Sequence, residues 1–284
     1  MNLTDTHVHL HFPLYDADRP EMIRRAIEGG ITSFLNIGTD LEDSRKAVAL
    51  AEEYPEVFAS VGYHPHETKT ANAADLAELE KLLAHPKVVA IGEVGLDYFH
   101  EHSPRDVQEK ILQTFLAWYD KHSKPIIIHC RDAYDDLLRI LNEHAKPNSP
   151  LKDSKVHWTS PGTLQSEENR CQGKALYRGT LHCYSSNADN MKKYLDLGFH
   201  ISFGGALTYK KNDTLREACA LCPKDRLLLE TDGPYLAPQS MRGKRNEPLY
   251  MIETAECAAK LHGMSVEAMA DLTTANAKRL FGLC

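Results

Sequence analysis

Four histidines and two carboxylates, His7, His9, Glu93, His129, His182 and Asp232, stand within or just after short apolar runs spread along a chain of 284 residues. Imidazole and carboxylate together are the donor set of a divalent-cation site. His7 and His9 form an H-x-H, and the two-residue period of a strand points both rings to one side. Such a pair alone is also common in surface turns, and the neighbouring His11 reads as one of these. Glu93 lies in the run Ala90-Ile91-Gly92-Glu93-Val94-Gly95-Leu96-Asp97, where an ionised carboxylate is costly unless a cation or a proton balances it. His129 closes Ile126-Ile127-Ile128, His182 follows Leu181, and Asp232 follows Leu229-Glu230-Thr231. A single buried histidine is usually a satisfied core residue. Metal-competent side chains at the ends of several separate strands are a different matter, because a closed barrel gathers those ends at one mouth. Two cations a few ångströms apart share a carboxylate and acidify a water between them. Glu93 is the candidate bridge, and Asp232 is the candidate ligand and general base.

Two further groups surround this set. Gly62-Tyr63-His64-Pro65-His66 ends another apolar run, and its histidines read either as more ligands or as hydrogen-bond donors to a substrate oxyanion. We assign His64 the second role and His66 to a loop. The densest basic cluster, with Arg242, Lys244 and Arg245, follows Asp232 and reads either as a solvated turn or as a phosphate contact.

The elements needed to position these residues are legible. Runs at 3–7, 33–37, 58–63, 88–93, 125–130, 179–183, 200–204 and 226–230 read as strands, and helix-period segments lie between them. Asp18-Arg19-Pro20 opens one helix that stops at Gly29-Gly30, and Ser103-Pro104 opens another running to about His122. The segment after Glu247 reads as two or three closing helices. Repeated strand-helix units with strands apolar on both faces predict a single-domain (β/α)8 TIM barrel spanning 1–284. One stretch, about 146–178, is rich in Pro, Ser, Lys, Gln and Asn and reads as an insertion between strands five and six.

Composition narrows the class. Hydrophobic residues at 42% and charged residues at 26% exclude both disorder and a membrane protein. No apolar run approaches the roughly 18 residues of a span, and no leader pattern precedes the first strand, so a cytoplasmic location is expected. The seven cysteines are scattered, which fits reduced thiols, and Cys219 and Cys222 of the lone C-x-x-C read as core-facing thiols. A net charge of −7 argues against a long-range trap for nucleic acid but leaves room for a local basic patch.

Taken together, Asp5-Thr6-His7-Val8-His9-Leu10, Gly62-Tyr63-His64-Pro65-His66, Ile91-Gly92-Glu93-Val94-Gly95-Leu96-Asp97-Tyr98, Ile128-His129-Cys130-Arg131-Asp132-Ala133, Leu181-His182-Cys183-Tyr184 and Glu230-Thr231-Asp232-Gly233-Pro234-Tyr235 resemble the TatD family of metal-dependent deoxyribonucleases. The resemblance covers nearly the whole chain. It implies two divalent metal ions, magnesium the usual one with manganese and zinc as alternatives, held by His7, His9, the shared Glu93, His129, His182 and Asp232. It places His64, Arg131, Arg242, Lys244 and Arg245 around the substrate. The implied activity is hydrolysis of DNA, and by extension RNA, as a 3′-to-5′ exonuclease using a metal-activated hydroxide. The chain departs from the family where Tyr184 is followed by Ser185-Ser186 in place of Ser-Gly, and in the insertion. Neither departure touches a ligand, so both bear on substrate range. A D-aminoacyl-tRNA deacylase or another carboxyl-directed amidohydrolase is the alternative enzyme reading, since an activated water does not distinguish phosphorus from carbonyl carbon. A metal-binding protein without activity is the third.

Overall fold

A computed structural model describes residues 1–146 and 176–283. Eight strands, β1 (Leu3–Val8), β2 (Ile31–Ile37), β3 (Val57–Val61), β4 (Val88–Asp97), β5 (Ile126–Arg131), β6 (Gly179–Leu181), β7 (His200–Phe203) and β8 (Leu227–Leu229), form one sheet in sequential order. Every neighbouring pair is parallel. The ends meet through a parallel bridge between Val8 and Gly233, with Asp232 N–H donating to the His7 carbonyl at 2.9 Å and His9 N–H to that of Gly233 at 2.8 Å. Asp5 adds a stitch at this seam: its buried carboxylate accepts from Thr231 N–H at 3.0 Å and from the Thr231 hydroxyl at 2.5 Å. The expected (β/α)8 barrel is therefore present.

The wall is buried on both faces, as the isoleucine run of β5 and the leucine run of β8 required; all six of those side chains are fully buried. Outside it lie α1 (Arg19–Glu28), α2 (Leu41–Glu53), α3 (Ala73–Leu82), α4 (Arg105–His122), α5 (Tyr134–Ala145), α6 (Ala188–Leu197), α7 (Asp213–Leu221), α8 (Met251–Leu261) and α9 (Val266–Phe281). Local chemistry sets their ends. Pro20 sits in the first turn of α1 and Gly29 caps its end. The Asp40, Asn72, Asn187 and Ser265 side chains accept first-turn amides at the starts of α2, α3, α6 and α9. Cys219 and Cys222 are buried free thiols at the end of α7, in line with a core role. Among the described residues no helix is long and apolar enough to cross a membrane.

Two expectations change. Ser103 does not cap α4; its hydroxyl donates to the His66 carbonyl at 2.7 Å and accepts from Lys69 N–H at 3.1 Å, tying together the loops after β3 and β4. Strand β4 runs on to Asp97 because its second half pairs with β5, Val94 opposite Ile128 and Asp97 opposite Arg131. Of the expected insertion, residues 147–175 lie outside those described; α5 ends before them and β6 follows.

The close pairing of β4 with β5 explains Gly95. Its φ is +151°, and a Cβ there would lie 1.9 Å from the His129 carbonyl oxygen. Gly243, at φ +84°, faces open space. Gly95→Ala should therefore cost on the order of 3 kcal/mol or more of unfolding free energy, whereas Gly243→Ala should cost about 1 kcal/mol. Equal midpoints for the two variants in denaturant titration would contradict this account.

Candidate metal centre

The six side chains singled out by sequence converge at the C-terminal mouth of the barrel. His7 and Glu93 project from β1 and β4, His129 from β5, and His9, His182 and Asp232 stand just beyond β1, β6 and β8. Asp232 takes a left-handed backbone, φ +56°, at the turn that closes the seam.

Glu93 is the hub and is only 2% exposed. Its two oxygens diverge. Oε2 lies 3.1 Å from His7 Nε2. Oε1 lies 2.8 Å from His129 Nδ1, 2.6 Å from His182 Nε2 and 3.3 Å from His64 Nε2. Asp232 Oδ1 is 3.8 Å from His7 Nε2 and 3.7 Å from His9 Nε2. The donor atoms of His7, His9 and Glu93 lie within 4.8 Å of one another, as do those of His7, His182 and Asp232, and those of His64, Glu93 and His129.

The rear nitrogens show which atoms face inward. His9 Nδ1 lies 3.0 Å from the Ile37 carbonyl, which only accepts, so Nδ1 carries the proton and Nε2 turns to the centre. His129 Nε2 lies 3.2 Å from Asp97, leaving Nδ1 inward. His182 Nδ1 faces Glu230 at 3.5 Å, and Glu230 is itself fixed by Cys183 N–H at 2.5 Å. Orienting partners of this kind are the usual outer layer of a metal site. The decisive fit is His7. Both its ring nitrogens are buried without a hydrogen-bond partner, although Nε2 is close to Glu93, and the ring stacks on His182 at 3.7 Å. His7 Nε2 and Glu93 Oε2, 3.1 Å apart, can both turn a lone pair to the same point, which suits a cation common to both. The residues present therefore fit divalent metal.

Electrostatics agrees. Burial opposes ionisation of Glu93, but the surrounding imidazoles, His182 foremost, and the hydrogen bond from His129 outweigh it and hold its carboxyl well below the usual range. Asp232 is likewise held low against burial, by His9, His7 and His182. Burial lowers His64 to about 4, so its ring is neutral. Since His64 Nδ1 accepts from His66 N–H at 3.1 Å, the proton sits on Nε2 and points at Glu93 and the cavity. That makes His64 Nε2 a hydrogen-bond donor at the edge of the centre.

The centre floors a cavity of about 630 Å³ whose lining includes Phe12, Phe99, Arg131 and Tyr235. Phe99 is 59% and Tyr235 50% exposed, and the Arg131 guanidinium lies 5.0 Å from the Phe99 ring. Arg242, Lys244 and Arg245 are not in that lining. Arg245 is paired with Asp18 at 2.6 and 2.8 Å and with Glu247 at 2.7 Å, so it braces the loop against α1. Arg242 lies over the Tyr209 ring at 4.2 Å, and Lys244 is exposed. Sequence reading left Asp97 and Glu230 without roles. Asp97 had a signal: four residues from Glu93 along one strand, it must face the same side.

Residues 4–282 match the profile of the TatD related DNase family. The chain belongs to that family. It is 37% identical to the "Uncharacterized metal-dependent hydrolase YabD" of Bacillus subtilis, over 98% of either chain. It is 33% identical to the "3'-5' ssDNA/RNA exonuclease TatD" of a Rahnella species, over 97% of either chain. Among solved structures, the TatD homologue YJJV of Escherichia coli K12 superposes with a TM-score of 0.84 at 26% identity, covering 99% of this chain and 98% of that one. This TatD protein is a metal-dependent hydrolase.

Metal binding should release protons. Against burial, Asp97 and Glu93 raise His129, and Glu93 and Glu230 raise His182 well above the ordinary imidazole value. A cation must displace the protons these rings hold, so affinity rises as pH rises. Calorimetric titration with zinc or manganese in buffers of different ionisation enthalpy should give buffer-dependent heats. Identical heats in every buffer would show that no proton leaves.

Proposed function

We propose that this TatD-family hydrolase cleaves phosphodiester bonds of single-stranded DNA, and of RNA by the same chemistry, working from the 3′ end. The observation that carries this reading is the mouth of the cavity, where two exposed aromatic rings and a guanidinium stand beside an anion-seeking centre. Bases offer π-faces to Phe99 and Tyr235, and phosphate offers oxygens to Arg131. The exonuclease name of the Rahnella relative supports the substrate class and the direction.

Under this reading His7, His9, Glu93, His129, His182 and Asp232 would hold two divalent cations, with Glu93 as the residue that would serve both. Magnesium is the ion that the family resemblance implies, while the four imidazoles of the set suit manganese or zinc better. When bound, the cations polarise the scissile phosphate and lower the pKa of the attacking water. The protein's own groups then have distinct tasks. Asp232, ionised and 14% exposed, accepts the proton of that water. His64 donates its Nε2 proton to a non-bridging phosphate oxygen as charge builds there. Arg131 fixes the phosphate, and Phe99 and Tyr235 hold the adjacent bases. Arg242 and Lys244, outside the cavity lining, meet flanking phosphates of a longer strand, whereas Arg245 acts through its carboxylate pairs. The single-stranded 3′ end of an aminoacyl-tRNA would meet the same rings, so the preference for phosphodiester cleavage over D-aminoacyl-tRNA deacylation rests on the exonuclease name of the Rahnella relative.

Turnover compared on single-stranded DNA, double-stranded DNA and a D-aminoacyl-tRNA tests the proposal. Single-stranded DNA should be preferred, chelator should abolish the activity and a divalent cation should restore it; preferred turnover of the aminoacyl ester would overturn the reading. Asp232→Asn should lower kcat by about a hundredfold or more with a much smaller change in KM. Comparable losses in both would remove the proton-acceptor role. Phe99→Ala should weaken single-strand binding by about 1–3 kcal/mol, and Arg131→Ala should flatten its salt dependence. Unchanged binding in both variants would mean that the strand takes another path.

A further inference from the structure

We infer that the loops after β3 and β4 build a separate cation site from His66, Asp97 and His100, beside the Glu93 centre and selective for zinc-class ions over magnesium. The observation is the crowding at one buried oxygen. Asp97 Oδ1 is used by the backbone, accepting from Phe99 N–H at 3.0 Å and His100 N–H at 2.8 Å. Oδ2 faces three ring nitrogens at once: His66 Nε2 at 2.7 Å, His100 Nδ1 at 2.9 Å and His129 Nε2 at 3.2 Å. A carboxylate oxygen has two lone pairs. One serves His129, whose other nitrogen is thereby turned to the Glu93 centre. The second is left to His66 and His100 together, and a cation satisfies both rings through their lone pairs where two N–H groups would compete. The donor atoms of His66, Asp97 and His100 all lie within 4.8 Å of one another.

The surroundings are built for a fixed geometry. Gln108 is buried; its side-chain oxygen accepts from Asp97 N–H at 2.8 Å, and its amide donates to the Asp97 carbonyl at 3.1 Å and the Ser103 carbonyl at 2.8 Å. Ser103 in turn holds the His66 carbonyl, so both loops are pinned from behind. The His102 ring stacks on His66 at 4.5 Å. All four residues line the cavity and the His100 side chain is 45% exposed, so the remaining coordination positions open to water or to a ligand oxygen. Two imidazoles and one carboxylate suit zinc, cobalt or nickel; magnesium prefers oxygen donors alone. The site touches the Glu93 centre through the Asp97 contact to His129 and the His66 N–H bond to His64.

The test is zinc uptake by equilibrium dialysis and elemental analysis, in excess magnesium, for the intact protein, for His100→Ala and for His100→Ala combined with His102→Ala. His100 is solvent-exposed, so both variants should keep the far-ultraviolet circular dichroism of the intact protein. The intact protein should bind one equivalent more than the double variant, with His100→Ala losing that equivalent or holding it at least about tenfold more weakly. The comparison is a difference, so a Glu93 centre that binds fewer ions than proposed would shift all three proteins together and leave the difference intact. Equal uptake by all three would overturn the site, and loss of the extra equivalent to magnesium would overturn its selectivity.

Discussion

The structure is organised around one buried carboxylate. Glu93 is removed from solvent inside an apolar barrel, and a charge in that position is tolerated only with compensating partners. Those partners are imidazoles supplied by β1, β3, β5 and β6 or by the residues just beyond them, so none can be placed without the closed wall. The wall must also close with the correct register, because the two hydrogen bonds that join His7 and His9 to Asp232 and Gly233 are the same ones that seat Asp232 opposite both rings. Barrel closure and the centre are one construction.

Much of this was legible in the sequence because both signals are local. Apolar runs at strand spacing marked all eight strands, and polar residues at their ends marked the six side chains that converge at the mouth of the barrel. What escaped reading depended on pairing across the barrel. The second half of β4 follows from its register with β5, and the roles of Asp97 and Glu230 follow from which histidine each stands behind. A basic cluster in a sequence does not reveal which charges are already matched, and Arg245 is matched by Asp18, a residue more than two hundred positions away. Ser103 looked like a helix cap by position, yet its hydroxyl is claimed by the neighbouring loop.

The centre and the mouth divide the work physically. Carboxylates and oriented imidazoles make the floor attractive to cations and, through them, to phosphate oxygens. On the proposed function, the exposed rings of Phe99 and Tyr235 would add a sequence-independent grip on bases, which suits a protein whose net charge of −7 supplies no general attraction to a polyanion. Recognition is therefore expected to be short-range and confined to the cavity.

In the proposed centre, Glu93 would serve two cations at once. Electron paramagnetic resonance of the manganese-loaded protein reads this out. An exchange-coupled manganese pair is expected, and it should be lost in Glu93→Gln. A spectrum of isolated manganese at every loading, the same with and without the Glu93 carboxylate, would contradict it.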